Sequence, residues 1–158
     1  MPKEIERKFL VETEDWRGLG EAMHFRQGYL STHPERTVRV RMAGDRAWIT
    51  VKGLSNGPER SEYEYGIPCS DATEMLETLC LRPLLEKRRT RIPVGGLIWE
   101  VDEFLGENAG LIVAEVELKS SDQPVTPPPW IGREVTGDVR FFNSSLSENP
   151  FCRWRSSL

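Results

Sequence analysis

The chain has 158 residues, the size of one ordinary domain, and 29% of them are charged and 38% apolar. That mix suits a globular fold around one buried core. Twenty-one Lys and Arg against 25 Asp and Glu leave a formal charge of -4, which argues against a nucleic-acid binder, since such affinity rests on excess cations. No apolar run approaches the ~20 residues of a membrane-spanning helix, and the Met1-Pro2-Lys3-Glu4 start carries no signal peptide. The expected setting is therefore cytoplasmic, with neither membrane nor nucleic acid as partner.

Cys69, Cys80 and Cys152 are widely spaced and fit free thiols in a reducing compartment. Only His24 and His33 occur, so a metal here would be a hard cation held by carboxylates. Phosphate-loop, dinucleotide-turn and nucleophile-elbow patterns are absent.

Period-2 alternation predicts strands over residues 3–11, 25–30, 36–42, 46–52, 60–67, 86–92, 97–104 and 112–119. Turn signals separate several of them: Ala43-Gly44-Asp45, Ser55-Asn56-Gly57-Pro58 and Val94-Gly95-Gly96. A short helix is expected over 14–23, weakened by Gly18 and Gly20. A stronger one is expected over 71–81, with Asp71 and Glu74 in the place of a capping box and Pro83 as the stop. After the proline-rich crossing at 122–130, a last helix is expected over 138–146. The class is α+β, one domain over 1–158, with hairpin-linked strands in an antiparallel sheet able to curl into a barrel.

In a strand, residues i and i+2 share a face. Glu4, Glu6 and Lys8 therefore share one, as do Arg39 and Arg41, Glu62 and Glu64, Lys87, Arg89 and Arg91, Glu100 and Asp102, and Glu115, Glu117 and Lys119. With Lys52, that face collects eight cations and eight carboxylates, mostly sorted by sign from strand to strand. A surface made only for solubility would mix the signs, because like charges on one face repel. The opposite face is rich in Val, Ile, Phe, Tyr and Trp, more than two or three short helices can cover. Both features find a cause if the sheet closes as an eight-stranded antiparallel barrel, a tunnel with a charged lumen and a few helices packed outside. Dry like-charge clusters cost several kcal/mol each unless something compensates them. The ligand that answers both signs is a polyphosphate carrying a divalent cation.

The opening Glu4-Ile5-Glu6-Arg7-Lys8 resembles the Glu-x-Glu-x-Lys signature of the CYTH family, also called triphosphate tunnel metalloenzymes. The likeness continues in order through Gln27-Gly28-Tyr29-Leu30, Val38-Arg39-Val40-Arg41, Thr50-Val51-Lys52, Glu62-Tyr63-Glu64, Glu86-Lys87-Arg88-Arg89, Trp99-Glu100-Val101-Asp102, Glu115-Val116-Glu117 and Arg140-Phe141-Phe142-Asn143. The resemblance implies an eight-stranded tunnel and Mg2+- or Mn2+-dependent hydrolysis of a triphosphate, closest to the compact bacterial tripolyphosphatases. One ion would orient the triphosphate and a second would activate water. Within it Lys8, Arg39, Arg41, Lys52, Lys87 and Arg89 are the expected phosphate ligands. Glu4, Glu6, Glu115 and Glu117 are the expected metal ligands, seconded by Glu62, Glu64 and Asp102, and Tyr29, Lys87 and Glu4 the expected catalytic residues. The alternatives it leaves are a class IV-type adenylate cyclase, a thiamine triphosphatase and a polyphosphate- or nucleotide-binding module without turnover. Glu100, Arg91 and residues 150–155 receive no role, and the apolar strand faces are compatible with a homodimer.

Overall fold

Polar and apolar side chains alternate along most strands, and closing the sheet satisfies both faces at once. The computed structural model describes residues 2–158. Its strands are β1 (Lys3–Leu10), β2 (Ala22–Ser31), β3 (Thr37–Ala43), β4 (Arg46–Lys52), β5 (Glu59–Ile67), β6 (Leu85–Val94), β7 (Leu97–Phe104) and β8 (Ile112–Glu117). All neighbours pair antiparallel in the order β1-β5-β4-β3-β2-β6-β7-β8, and β8 closes on β1 with Lys8 opposite Glu115. Closure leaves no free strand edge. Gly95 (φ 58) and Gly96 (φ 81) supply the paired positive φ values that a tight hairpin between β6 and β7 requires.

The apolar rows face outward and are covered in two places. Phe9, Ile92, Trp99, Val101 and Val116 pack under Trp16 and Trp130, with the Trp99 ring 5.5 Å from Phe9 and 6.1 Å from Trp130. Val40 and Ala47 pack under Ala72 and Leu76 of α1 (Cys69–Thr78).

A third apolar cluster lies inside. Leu10, Tyr29, Leu85, Phe104 and Val113 stand on the bore-facing parity of their strands and meet Phe141, Leu146 and Phe151 from the C-terminal segment, which includes α2 (Asn143–Glu148). That segment is a stopper filling one end of the barrel. The tunnel is thus narrowed at one end, and the last helix packs there instead of on the outer wall.

Four sequence expectations need correction. Residues 14–23 form turns and the start of β2, not a helix: Gly18 takes φ 81, and a Cβ on Gly20 would come within 2.3 Å of the Arg91 carbonyl oxygen. The helix expected over 71–81 begins at Cys69, follows Pro68 and carries no side-chain cap, so Asp71 lies in its first turn. Residues 138–146 divide into a 3-10 turn, Val139–Phe141, and α2, because Phe142 is extended (ψ 137) between them. The last strand stops at Glu117, which leaves Lys119 outside.

Leu146 is fully buried in the stopper, so Leu146→Ala should cost about 3 kcal/mol in urea unfolding. Cys152→Ser, at an exposed position, should leave the midpoint unchanged.

Candidate active site

Strand order turns the sorted signs into two walls. β7, β8, β1 and β5 are consecutive around the barrel and carry Glu100, Asp102, Glu115, Glu117, Glu4, Glu6, Glu62 and Glu64. β4, β3, β2 and β6 complete the circle with Lys52, Arg39, Arg41, Lys87 and Arg89, while β2 contributes the neutral Gln27 and Tyr29. Lys8 and Arg60 are cations within the acidic half.

Ion pairs concentrate where the walls meet. Along β4 and β5, Lys52 Nζ lies 2.6 Å from Glu4 Oε2 and 3.5 Å from Glu62 Oε2, and Arg39 Nη2 lies 3.4 Å from Glu64. Thr50 joins this seam, accepting from Arg39 at 3.1 Å and donating to Glu64 at 2.8 Å. Along β6 and β7, the Arg89 fork donates to both Asp102 oxygens at 2.7 and 2.9 Å, and Lys87 Nζ lies 2.8 Å from Asp102 Oδ2. Arg89 also approaches Glu100 at 3.4 Å and Glu115 at 3.6 Å.

Proton affinities follow the same division. Burial raises the Glu6 carboxyl well above its usual range, and the charges of Glu115 and Glu4 raise it further. Glu62 is pushed up to about 7 by burial and its hydrogen bond with Glu4, and Glu117 is raised by burial and by Glu4 and Glu100. Burial opposes ionisation of Glu4 and Glu115 too, but Lys52 holds the first well below the usual carboxylate value and Lys8 with Arg89 lowers the second. On the basic wall, burial and the neighbouring charges of Arg39 and Arg89 bring Arg41 down to about 9. Burial brings Lys87 down to about 7 despite Asp102. Asp102 is held below its usual value, Arg89 and Lys87 outweighing burial.

Two cavities that share lining residues open on this site. The mouth cavity, about 160 Å³, is lined by Arg39, Arg41, Arg89 and Lys52 on one side and by Glu4, Glu6, Glu62, Glu64, Glu100, Glu115 and Glu117 on the other. The deeper one, about 60 Å³, adds Lys8, Tyr29, Thr37 and Arg60 and is walled by Phe142 and Asn143 of the stopper.

Twelve of the fourteen site residues expected from sequence line one or both cavities. Lys87 and Asp102 line neither; they are fully buried behind Arg89, with Lys87 between the Phe25 and Phe104 rings. Asp102 contacts both Lys87 and Arg89, so the buried pair backs the part of the wall that Arg89 lines. Arg91 sits at the rim, 68% exposed, with Glu100 at 3.8 Å.

Sequence reading passed over Glu100, Arg60, Thr50 and the stopper residues. Parity held the signal for the first three, since Arg60 stands two residues before Glu62 and Thr50 two before Lys52. Phe142 and Asn143 stand in the quoted Arg140-Phe141-Phe142-Asn143 segment, but nothing in it told that they would arrive from the far end of the chain to wall the cavity.

A closed antiparallel barrel with an acidic and a basic wall facing one bore defines a class of tunnel-type sites for a polyanion together with cations. The chain belongs to the CYTH domain family, which it matches over residues 2–145. It is 49% identical over 151 residues to an inorganic triphosphatase of Acetivibrio thermocellus, covering 96% of this chain and 97% of that one. A second inorganic triphosphatase, from Nitrosomonas europaea, is 40% identical over 149 residues, covering 91% and 96%. A crystal structure of an inorganic triphosphatase superposes with a TM-score of 0.67 at 37% identity, covering 93% and 95%. A solved protein from Hippeastrum, 14% identical over 74% of this chain and 80% of its own, shares the fold alone at TM-score 0.61.

Asp102→Asn removes the counter-charge from two buried cations and should cost about 3–5 kcal/mol in chemical unfolding. Because the folded Asp102 pKa is depressed, its contribution is present above the unfolded carboxylate pKa and is lost as pH falls through the folded value.

Proposed function

We propose that the protein is a metal-dependent inorganic triphosphatase that splits tripolyphosphate into pyrophosphate and phosphate inside the bore. The observation that carries this reading is the facing of an all-carboxylate stretch against an all-cation stretch across one cavity. Both curated relatives are inorganic triphosphatases, which favours this activity over the cyclase, thiamine-specific and binding-only readings.

The acidic wall suits a hard divalent ion such as Mg2+ or Mn2+. Its carboxylates raise one another's pKa, a repulsion that a cation would relieve. Among the described residues no three of them already converge in a cage, so substrate oxygens and water would complete the shell. Glu4, Glu6, Glu115 and Glu117 would hold the ion, with Glu62 and Glu64 at the edge. Bound there, it would polarise the phosphates and lower the pKa of a coordinated water.

The chain's own residues supply the rest of the chemistry. Arg39, Arg41 and Arg89 line the mouth cavity and can fork onto phosphate oxygens. Arg41 makes no carboxylate contact within 4.0 Å among the described residues; its Nε donates to Gln27 at 3.1 Å, which leaves its charge for the anion. Lys8 and Lys52 extend the row inward, and Lys87 with Asp102 fixes the plane of Arg89. Glu62, with a pKa near neutrality, can take a proton from the attacking water. Tyr29, beside the deep cavity, can orient the terminal phosphate.

Purified protein should release phosphate from tripolyphosphate with Mg2+ or Mn2+, and Glu4→Gln or Glu115→Gln should lower the rate by about 100-fold. Parallel assays with ATP and thiamine triphosphate, scoring cyclic AMP and phosphate, separate the alternatives. No release from tripolyphosphate with either ion would refute the proposal.

Metal binding needs ionised carboxylates, so Mn2+ affinity measured by calorimetry should rise between pH 6 and 8 as Glu62 loses its proton near 7. Glu62→Gln should flatten that rise.

A further inference from the structure

Arg60 stands on β5 in the acidic half of the barrel, opposite Glu4 in register, yet among the described residues no carboxylate lies within 4.0 Å of it. Lys8, Arg39, Lys52 and Arg89 each have one within that range. Two bonds hold its plane: Nε donates to the Gly53 carbonyl at 2.7 Å and Nη2 to Thr37 Oγ1 at 3.2 Å. Nη1 makes no hydrogen bond within the chain among the described residues.

Among the described residues four cations line this end of the bore, and one of them, Lys52, is paired with Glu4. Lys8, Arg39 and Arg60 line the same deep cavity beside Tyr29. The Phe142 ring of the stopper lies 5.8 Å from both Lys8 Nζ and Arg60 Cζ, so its face helps to hold both charges in place. On the far side of Arg60 the lining turns apolar, with Leu54, Val139 and Phe142 around a cavity of about 390 Å³. Among the described residues Arg60 is the one charge that lines both cavities.

We propose that Arg60 is a further substrate-binding residue, seating a phosphate group at the stoppered end of the bore in a ring completed by Lys8 and Arg39. This rests on the reading of the bore as a triphosphate site. A half-buried guanidinium without a counter-ion is costly to keep, and a phosphate oxygen on the unused side of the fork offsets that cost. Among the described residues Arg60 is the only charge in the lining of the outer cavity, so the row of cations ends with it, which makes Arg60 an end seat.

The competing role is structural: Arg60 would merely tie β5 to Gly53 and Thr37. The test compares Arg60→Ala, Arg60→Gln and Arg60→Lys with the wild type in tripolyphosphate kinetics, pyrophosphate calorimetry and thermal unfolding of the free protein. An end seat raises KM and the pyrophosphate Kd about tenfold in the Ala and Gln variants, with a smaller change in kcat and substantial recovery in the Lys variant. Gln can still donate a hydrogen bond, so it reports on the charge even if the Ala variant folds poorly. A lowered melting temperature with KM and Kd within about twofold of wild type would overturn the assignment. Wild-type protein that binds pyrophosphate through Arg60 but cleaves no tripolyphosphate would sink the proposed activity and leave the seat standing.

Discussion

Facing rows of like charge are unstable company, and the structure depends on how that repulsion is contained. Each carboxylate or cation in the bore gives up part of its hydration, and neighbours of the same sign add to the cost. The barrel meets it partly at the seams: Lys52 answers Glu4, and Asp102 answers Arg89 and Lys87. Between the seams compensation is incomplete. Burial, reinforced by Glu115 and Glu4, pushes Glu6 toward its protonated form, and burial with Arg39 and Arg89 lowers Arg41. Those two strained regions lie on opposite walls of one cavity. A cation against the first and an anion against the second would relieve both, and a polyphosphate with its metal brings the two together.

The rest of the fold keeps these walls fixed. Closure of β8 on β1 sets the carboxylates of β1 and β8 side by side, while outer packing around Trp99 and under α1 holds the strands that carry them. The stopper fills the far end with Phe141, Leu146 and Phe151, so the charged part of the bore has a floor. Lys87 and Asp102 are fully buried, and Asp102 meets both Lys87 and Arg89. Their burial is tolerable because each meets the other's charge.

Much of this was legible in the sequence, because a period of two leaves little freedom. Once Glu4 and Glu6 share a face, so must Lys8; once the apolar rows outnumber the helices available to cover them, the charged rows belong inside a closed sheet. All eight strands were placed by the same alternation, though some ends shifted by up to three residues. What escaped was depth. Parity puts Lys87 and Arg89 on one face but does not tell that Lys87 is fully buried beside the Phe25 and Phe104 rings while Arg89 lines the cavity. Glu100 and Arg60 had the right parity, but Glu100 received no role and Arg60 stands two residues before the quoted Glu62-Tyr63-Glu64 segment. The stopper segment was marked by Arg140-Phe141-Phe142-Asn143, but its place inside the barrel was not legible, since its apolar residues meet their partners only through long-range packing.

The most direct measurement of the central claim is a crystal structure of the protein soaked with tripolyphosphate and Mn2+, with the anomalous signal used to place the metal. The account predicts Mn2+ against Glu4, Glu6, Glu115 or Glu117, and phosphate density, of substrate or products, along Arg39, Arg41 and Arg89. Phosphate bound on the outer surface with the bore empty, or Mn2+ sited away from the acidic wall, would contradict it.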